Sequence, residues 1–383
     1  MQRLLSLDVL RGITIAFMIM VNNNGGPGSW GFMNHKPWNG LTATDLVFPT
    51  GVVVVGASIV YAFHARMKKG ATRRELAWHT VKRAVILFLL GMVVNGFPFF
   101  EMAHMRVYGV LQRIAVCYLI VGLFYIWDQR VWTKVAALVV ALVGYWVLVR
   151  WVPIPGIGMP GRDVQFMDMR NNLVSWLDRL VMPHHLYLDW NGPDPHNTRD
   201  PEGLLSDLPA VGTALLGLLT GVWLRGQRAA KSTAAGLARA AAVCLALGYL
   251  WSLEFPLNKN MWTSSFVLVA AGYSLTVLTL SYWVMDVWGW GRGQSKALVY
   301  PWLVLGANSI TAYMFSEIVP GILERIHFTA HGKATNPAAW LADHVFIHMP
   351  PPGWAAFAFS FFTLAYCFIP VWIMYRKKIF VKV

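Results

Sequence analysis

Apolar stretches of membrane-crossing length recur along the whole chain, separated by connections that collect Lys, Arg, Gly and Pro. Runs near twenty residues predict ten spans, at 7–23, 43–64, 84–100, 107–126, 132–152, 208–225, 236–254, 262–283, 299–320 and 355–375. A hydrocarbon core of about 30 Å needs about 20 apolar residues in helical form. The pattern therefore predicts an all-α polytopic membrane protein with a single transmembrane domain over 1–383. Two connections are unusual: 24–42, dense in Asn, Gly and Trp, and 153–207, which is too long for a simple link and is rich in Pro, Gly, Asp and His. The first run carries Asp8 and Arg11 and is not followed by a small-residue cleavage site. We read it as a retained helix and not as a signal peptide.

Composition agrees with the pattern. Hydrophobic residues make up 56% of the 383 and charged ones only 13%, about half the share of a soluble domain. The formal charge of +14 does not form a basic stripe, so no nucleic-acid partner is implied. Twenty Lys and Arg lie in one alternate set of connections and ten in the other. Cationic loops stay in the cytoplasm. Both termini are thus expected there, with 24–42, 153–207 and 321–354 on the opposite side, the periplasm of an inner-membrane protein if the host is Gram-negative. Cys117, Cys244 and Cys367 each lie within an apolar run, and no disulfide framework or zinc site is expected.

Charges inside spans are costly and point to function or pairing. Asp8 and Arg11, three residues apart, can neutralise each other. Arg113 has no acidic neighbour in sequence and needs Asp45, Glu317 or an anionic ligand. Glu317 follows Tyr313 and Ser309 at helical spacing, so the three share a face expected to line a cavity. Asp45, at the mouth of the second span, either caps that helix with Thr42 or Thr44 or orients a nearby base. His35, between Trp30 and Trp38, is a residue type that works as base, acid or nucleophile near neutral pH.

Other motif tests point away from chemistry. The Gly-rich stretches fit neither dinucleotide nor P-loop signatures. Gly217 and Gly221 form a GxxxG pair, which serves helix packing within one chain or between two copies of a homo-oligomer. His327/His331 and His344/His348 stand four apart but lack a third ligand and the glutamate of a HExxH site, so no metal is expected.

Several segments together resemble the heparan-α-glucosaminide N-acetyltransferase family: Leu7-Asp8-Val9-Leu10-Arg11-Gly12, Asn22, His35 with Trp38-Asn39-Gly40-Leu41-Thr42, and Asp45-Leu46-Val47-Phe48-Pro49. Further matching segments are Gly109-Val110-Leu111-Gln112-Arg113, Asp200-Pro201-Glu202-Gly203-Leu204-Leu205, and Asn308-Ser309 with Tyr313 and Glu317. The similarity runs over about residues 4–320. It implies an acyltransferase that carries acetyl from cytoplasmic acetyl-CoA to the amine of a glucosamine-type sugar across the bilayer, with His35 as the active-site residue. On that reading Asp45 would orient the ring and Asn22 would donate to the carbonyl oxygen.

The pantetheine arm, roughly 15–20 Å, covers half or more of a core of about 30 Å. It would thread towards His35 past Arg113, Ser309 and Glu317. An amino-sugar transporter and an O-acyltransferase of a surface polysaccharide are the competing expectations. No inverted repeat of transporter type is evident.

Overall fold

The computed structural model describes residues 4–24, 28–187, 198–226, 228–330, 333–346, 348–349 and 352–381. Helices dominate them: α1 Leu5–Asn22, α2 Val47–Met67, α3 Arg73–Gly96, α4 Val110–Trp127, α5 Val131–Trp151, the short α6 Leu173–Val181, α7 Asp207–Arg225, α8 Ala230–Trp251, α9 Ser264–Tyr282, α10 Lys296–Ala307, α11 Ser309–Arg325, α12 Pro337–Leu341 and α13 Pro352–Arg376. A small antiparallel hairpin, β1 Phe328–Ala330 with β2 Lys333–Thr335, follows α11.

Among the described residues, nine helices are long and apolar enough to cross a membrane, and α10 with α11 forms a further, broken pair. The chain is an all-α polytopic membrane protein.

Two spans differ from the sequence expectation. α3 begins at Arg73, well before residue 84, because Thr72 and Glu75 close a capping box: Thr72 Oγ1 accepts the Glu75 amide at 3.2 Å and Glu75 Oε2 accepts the Thr72 amide at 2.8 Å. Hydropathy cannot see that polar first turn. The run 299–320 is not one straight helix. It bends by 73° between α10 and α11, and the break is at Asn308. The Asn308 side chain donates to the Ile379 carbonyl at 3.1 Å and accepts the Val381 amide at 3.0 Å. The C-terminal tail is thereby strapped to the bend.

Helices in lipid associate through close van der Waals packing, which favours small residues at crossings. α2 and α7 meet this way. A Cβ on Gly217 would stand 2.1 Å from the Val53 carbonyl oxygen, and one on Gly221 would stand 2.7 Å from that of Ala57. The GxxxG pair therefore packs within this chain. Around that crossing lies a core of Phe63, Tyr118, Tyr125, Trp262 and Phe266.

The expected large loop, 153–207, is described outside 188–197. It contains α6 and is pinned to the bundle by Arg106, whose Nε donates to Asp200 Oδ2 at 2.8 Å and which also pairs with Glu202.

Candidate active site

The segment 28–46 folds around its own amides before it reaches α2. Asn34 Oδ1 accepts from Asn24 at 2.8 Å and from the Ser29 hydroxyl at 2.7 Å, and Thr42 Oγ1 lies 2.8 Å from the Asn34 carbonyl. Trp38 donates its indole N–H to the Met167 carbonyl at 2.8 Å, docking the segment on the long loop. Gly40, at φ +116°, donates its amide to the Leu257 carbonyl at 2.8 Å. That positive φ is strained for a residue with a Cβ. Asn39 accepts from the Asn258 amide group at 3.0 Å. The His-x-x-Trp-Asn-Gly-Leu-Thr pattern thus encodes a loop clamped between two other connections, with His35 at its edge.

His35 Nδ1 lies 2.7 Å from Asp45 Oδ1. The His35 side chain is 46% exposed and that of Asp45 1%. The other carboxylate oxygen, Oδ2, accepts the Lys36 amide at 3.2 Å, the Thr42 amide at 3.0 Å and faces Thr42 Oγ1 at 3.0 Å. A carboxylate so engaged only accepts, so Nδ1 carries the imidazole proton and Nε2 presents its lone pair outward. Asp45 does not cap α2: that helix starts from Leu46 with no side-chain cap bond, after a turn at Thr44–Leu46. Its bonds run back to the His35 loop instead.

Lys259, a residue that the sequence reading counts only as a loop charge, lies against the ring, with Nζ 3.2 Å from Nδ1 and 3.3 Å from Nε2. The polar run Asn258-Lys259-Asn260 was the available signal. Loss of water around the ring and the Lys259 ammonium hold the imidazole below its ordinary value, against the pull of Asp45 and Glu202. Burial likewise lowers Lys259, opposed by Glu202 and Asp45. Burial would raise Glu202, but Arg106, Arg113 and Lys259 more than reverse it and keep the carboxyl below its usual range.

A cavity of about 730 Å³ runs between α1, α2, α3, α4 and the α10–α11 bend. It touches α2 from Val47 to Arg66, a helical rise of about 28 Å. Arg66, His79 and Arg83 line one end, Asp8, Arg11 and Ser58 stand along it, and Phe48, Met18 and Tyr313 line the end near the His35 loop. Asp8 and Arg11 meet at 3.4 Å, as their spacing suggested, and Arg11 also donates to Ser58 Oγ at 2.6 Å.

The remaining expected residues separate. Ser309 and Tyr313 line the cavity. Glu317 does not; its Oε1 accepts the Asn22 side-chain amide at 3.2 Å, tying the end of α1 to α11. Arg113 is placed differently from expectation. It is fully buried, and its partner is neither Asp45 nor Glu317. Its Nε donates to Asp207 Oδ1 at 3.0 Å, its terminal nitrogens to the Pro201 and Gly203 carbonyls at 3.2 and 3.1 Å and to Ser206 Oγ. The guanidinium also lies 4.8 Å over the Trp262 ring. Four of its five N–H groups meet these acceptors, and it is not among the residues that line the cavity. His331 lies outside the described residues, and His344 stacks on Trp340 at 4.9 Å.

Comparison with known sequences meets the same residues. A family model described as "Heparan-alpha-glucosaminide N-acetyltransferase, catalytic" matches residues 3–255, well over half of the chain. Two curated relatives share the name heparan-alpha-glucosaminide N-acetyltransferase. The Mus musculus protein is 27% identical over 365 residues, covering 83% of this chain and 54% of the relative. The Homo sapiens protein is 27% identical over 361 residues, covering 82% of this chain and 53% of the relative. The chain spans about half the length of the curated relatives it matches.

Proposed function

The chain belongs to the heparan-α-glucosaminide N-acetyltransferase family, and from that membership we propose that it transfers acetyl from acetyl-CoA to the amine of a glucosamine-type sugar. The observation that carries the proposal is the His35–Asp45 pair together with a cavity that begins at Val47, two residues after Asp45, and follows α2 to a basic end. A rise of about 28 Å along α2 approaches the thickness of a hydrocarbon core of about 30 Å. Acetyl-CoA entering at the basic end has its phosphates beside Arg66 and Arg83, cations suited to anionic oxygens. Its arm lies along the cavity past Ser58 and Ser309. The excess of Lys and Arg in the connections on that side makes it the cytoplasmic one, which puts both termini in the cytoplasm and His35 on the opposite face.

His35 works through Nε2. Asp45 fixes Nδ1–H and stabilises the charge that the ring gains when Nε2 takes a proton from the attacking sugar amine, or when it takes the acetyl itself. The first route breaks the thioester as the amide forms. CoA leaves as a thiolate and collects the proton held by the ring. In the second, Nε2 displaces the thiolate, and the amine then takes the acetyl from the ring, its proton passing to the thiolate as the neutral imidazole returns. Asn22, at the end of α1, is assigned to the carbonyl oxygen through the amide hydrogen not donated to Glu317.

The test is product analysis with purified protein, labelled acetyl-CoA and glucosamine. An N-acetylated sugar whose label resists mild base supports the proposal. An ester points to O-acyl transfer, and sugar flux in liposomes without acetyl-CoA points to a carrier; either result overturns it.

A further inference from the structure

Lys259 has a geometry that ordinary hydrogen bonding does not explain. Its Nζ is nearly equidistant from the two nitrogens of one imidazole, at 3.2 and 3.3 Å. Those nitrogens flank Cε1. An atom in the ring plane at both distances would collide with that carbon, so the ammonium lies over the ring face. The in-plane direction of Nδ1 belongs to Asp45 at 2.7 Å, and among the described residues only Lys259 comes within hydrogen-bonding distance of Nε2.

We infer that Lys259 is a positioning residue that keeps His35 uncharged and turned towards Asp45, so that the Nε2 lone pair is available to the reacting groups. A cation over a neutral π-system is attracted to it and repels the same ring once protonated. Asp45 alone would favour the protonated ring. The two charges together set an imidazole that is oriented by one neighbour and prevented from charging early by the other.

Lys259 is held for this task. Asn258 pairs with Asn39, its Oδ1 accepts the Met261 amide at 2.9 Å, and Asn260 reaches the Pro37 carbonyl at 3.4 Å. The connection that carries Lys259 is thereby fastened to the loop that carries His35. The charged groups facing this pair are Asp45 on the ring side and Glu202, Arg106 and Arg113 behind Lys259. Glu202 balances the lysine without touching the ring.

The inference borrows the acetyltransferase reading only for its activity assay, and its primary readout is independent of that reading. The His35 ring is titrated by NMR in the full-length protein in detergent, with its signal assigned by His35→Gln. Wild type should titrate below 6.5, the ordinary imidazole value. Lys259→Met should raise the midpoint by about one pH unit, and Lys259→Arg should leave it near wild type. The acid limb of acetyl transfer should move up by the same amount in Lys259→Met. A wild-type midpoint at or above 6.5 overturns the inference even where Lys259→Met does not fold. So does an unmoved midpoint in Lys259→Met, or an Arg variant that behaves like Met. Wild-type protein that titrates as expected but transfers nothing would refute the acetyltransferase reading and leave the role of Lys259 intact.

Discussion

Two charged clusters stand on the same face of the bundle and use the same residue types to opposite ends. Around Arg113 and Arg106, the guanidinium groups are met by Asp207, Asp200, Glu202, Ser206 and two carbonyls, and Arg113 has no exposed surface. Around His35, the Asp45 carboxylate is equally saturated, yet the ring is half exposed and, among the described residues, Nε2 meets only Lys259. The first cluster closes the long loop onto α4 and α7 and spends the Arg113 guanidinium on protein acceptors. The second holds one atom ready and leaves it open. A charge within a membrane protein therefore says little until its partners have been counted, because saturation separates a fastening from a site.

This comparison can be broken most severely at Arg113. Arg113→Ala removes every partner of a buried carboxylate and should cost about 3–5 kcal/mol of stability, seen as loss of monodisperse protein or a collapsed melting temperature. A variant that melts like wild type but loses acetyl-CoA affinity would return Arg113 to the cavity. Asp45→Asn asks the reverse question. It keeps the shape of the loop and removes the charge that stabilises a protonated or acetylated ring, so turnover should fall by up to about 10⁴-fold with melting little changed. A stability loss in place of the catalytic one would make Asp45 a fastening too.

The smallest effect concerns Asp178, which shares the first cluster with more carboxyls than cations. Its Oδ1 accepts the Leu204 amide at 2.9 Å, whereas Oδ2 is buried without a partner among the described residues. Burial lifts its pKa from 3.8 to about 7. The folded protein therefore holds a proton that the unfolded chain releases earlier. Stability contributed by that proton is complete below about pH 4 and is lost as pH rises through about 7. Asp178→Asn should flatten this decline and raise the melting temperature by a few degrees at neutral pH. Identical pH dependence in both proteins would show that Asp178 is ionised.

Much of the fold was legible because a bilayer imposes one length on every crossing element. The exceptions are places where polar side chains replaced hydropathy as the signal, at the Thr72 cap and at the Asn308 break. Within the site, His35 and Asp45 stood out because ten residues of one loop hold both. Arg113 did not reveal its role, since Asp207 lies 94 positions away and only the folded long loop brings it near. Lys259 was hidden for the same reason: 224 positions separate it from His35, and the polar run Asn258-Lys259-Asn260 does not say that it joins Asn39 and Gly40.

If acetyl transfer depends on one ring nitrogen of His35, the turnover of His35→Ala at saturating acetyl-CoA decides it, measured on protein whose melting temperature and acetyl-CoA affinity match wild type. Transfer to the sugar amine should fall by about 10²–10⁴-fold with binding retained; transfer at the wild-type rate would contradict the role of His35.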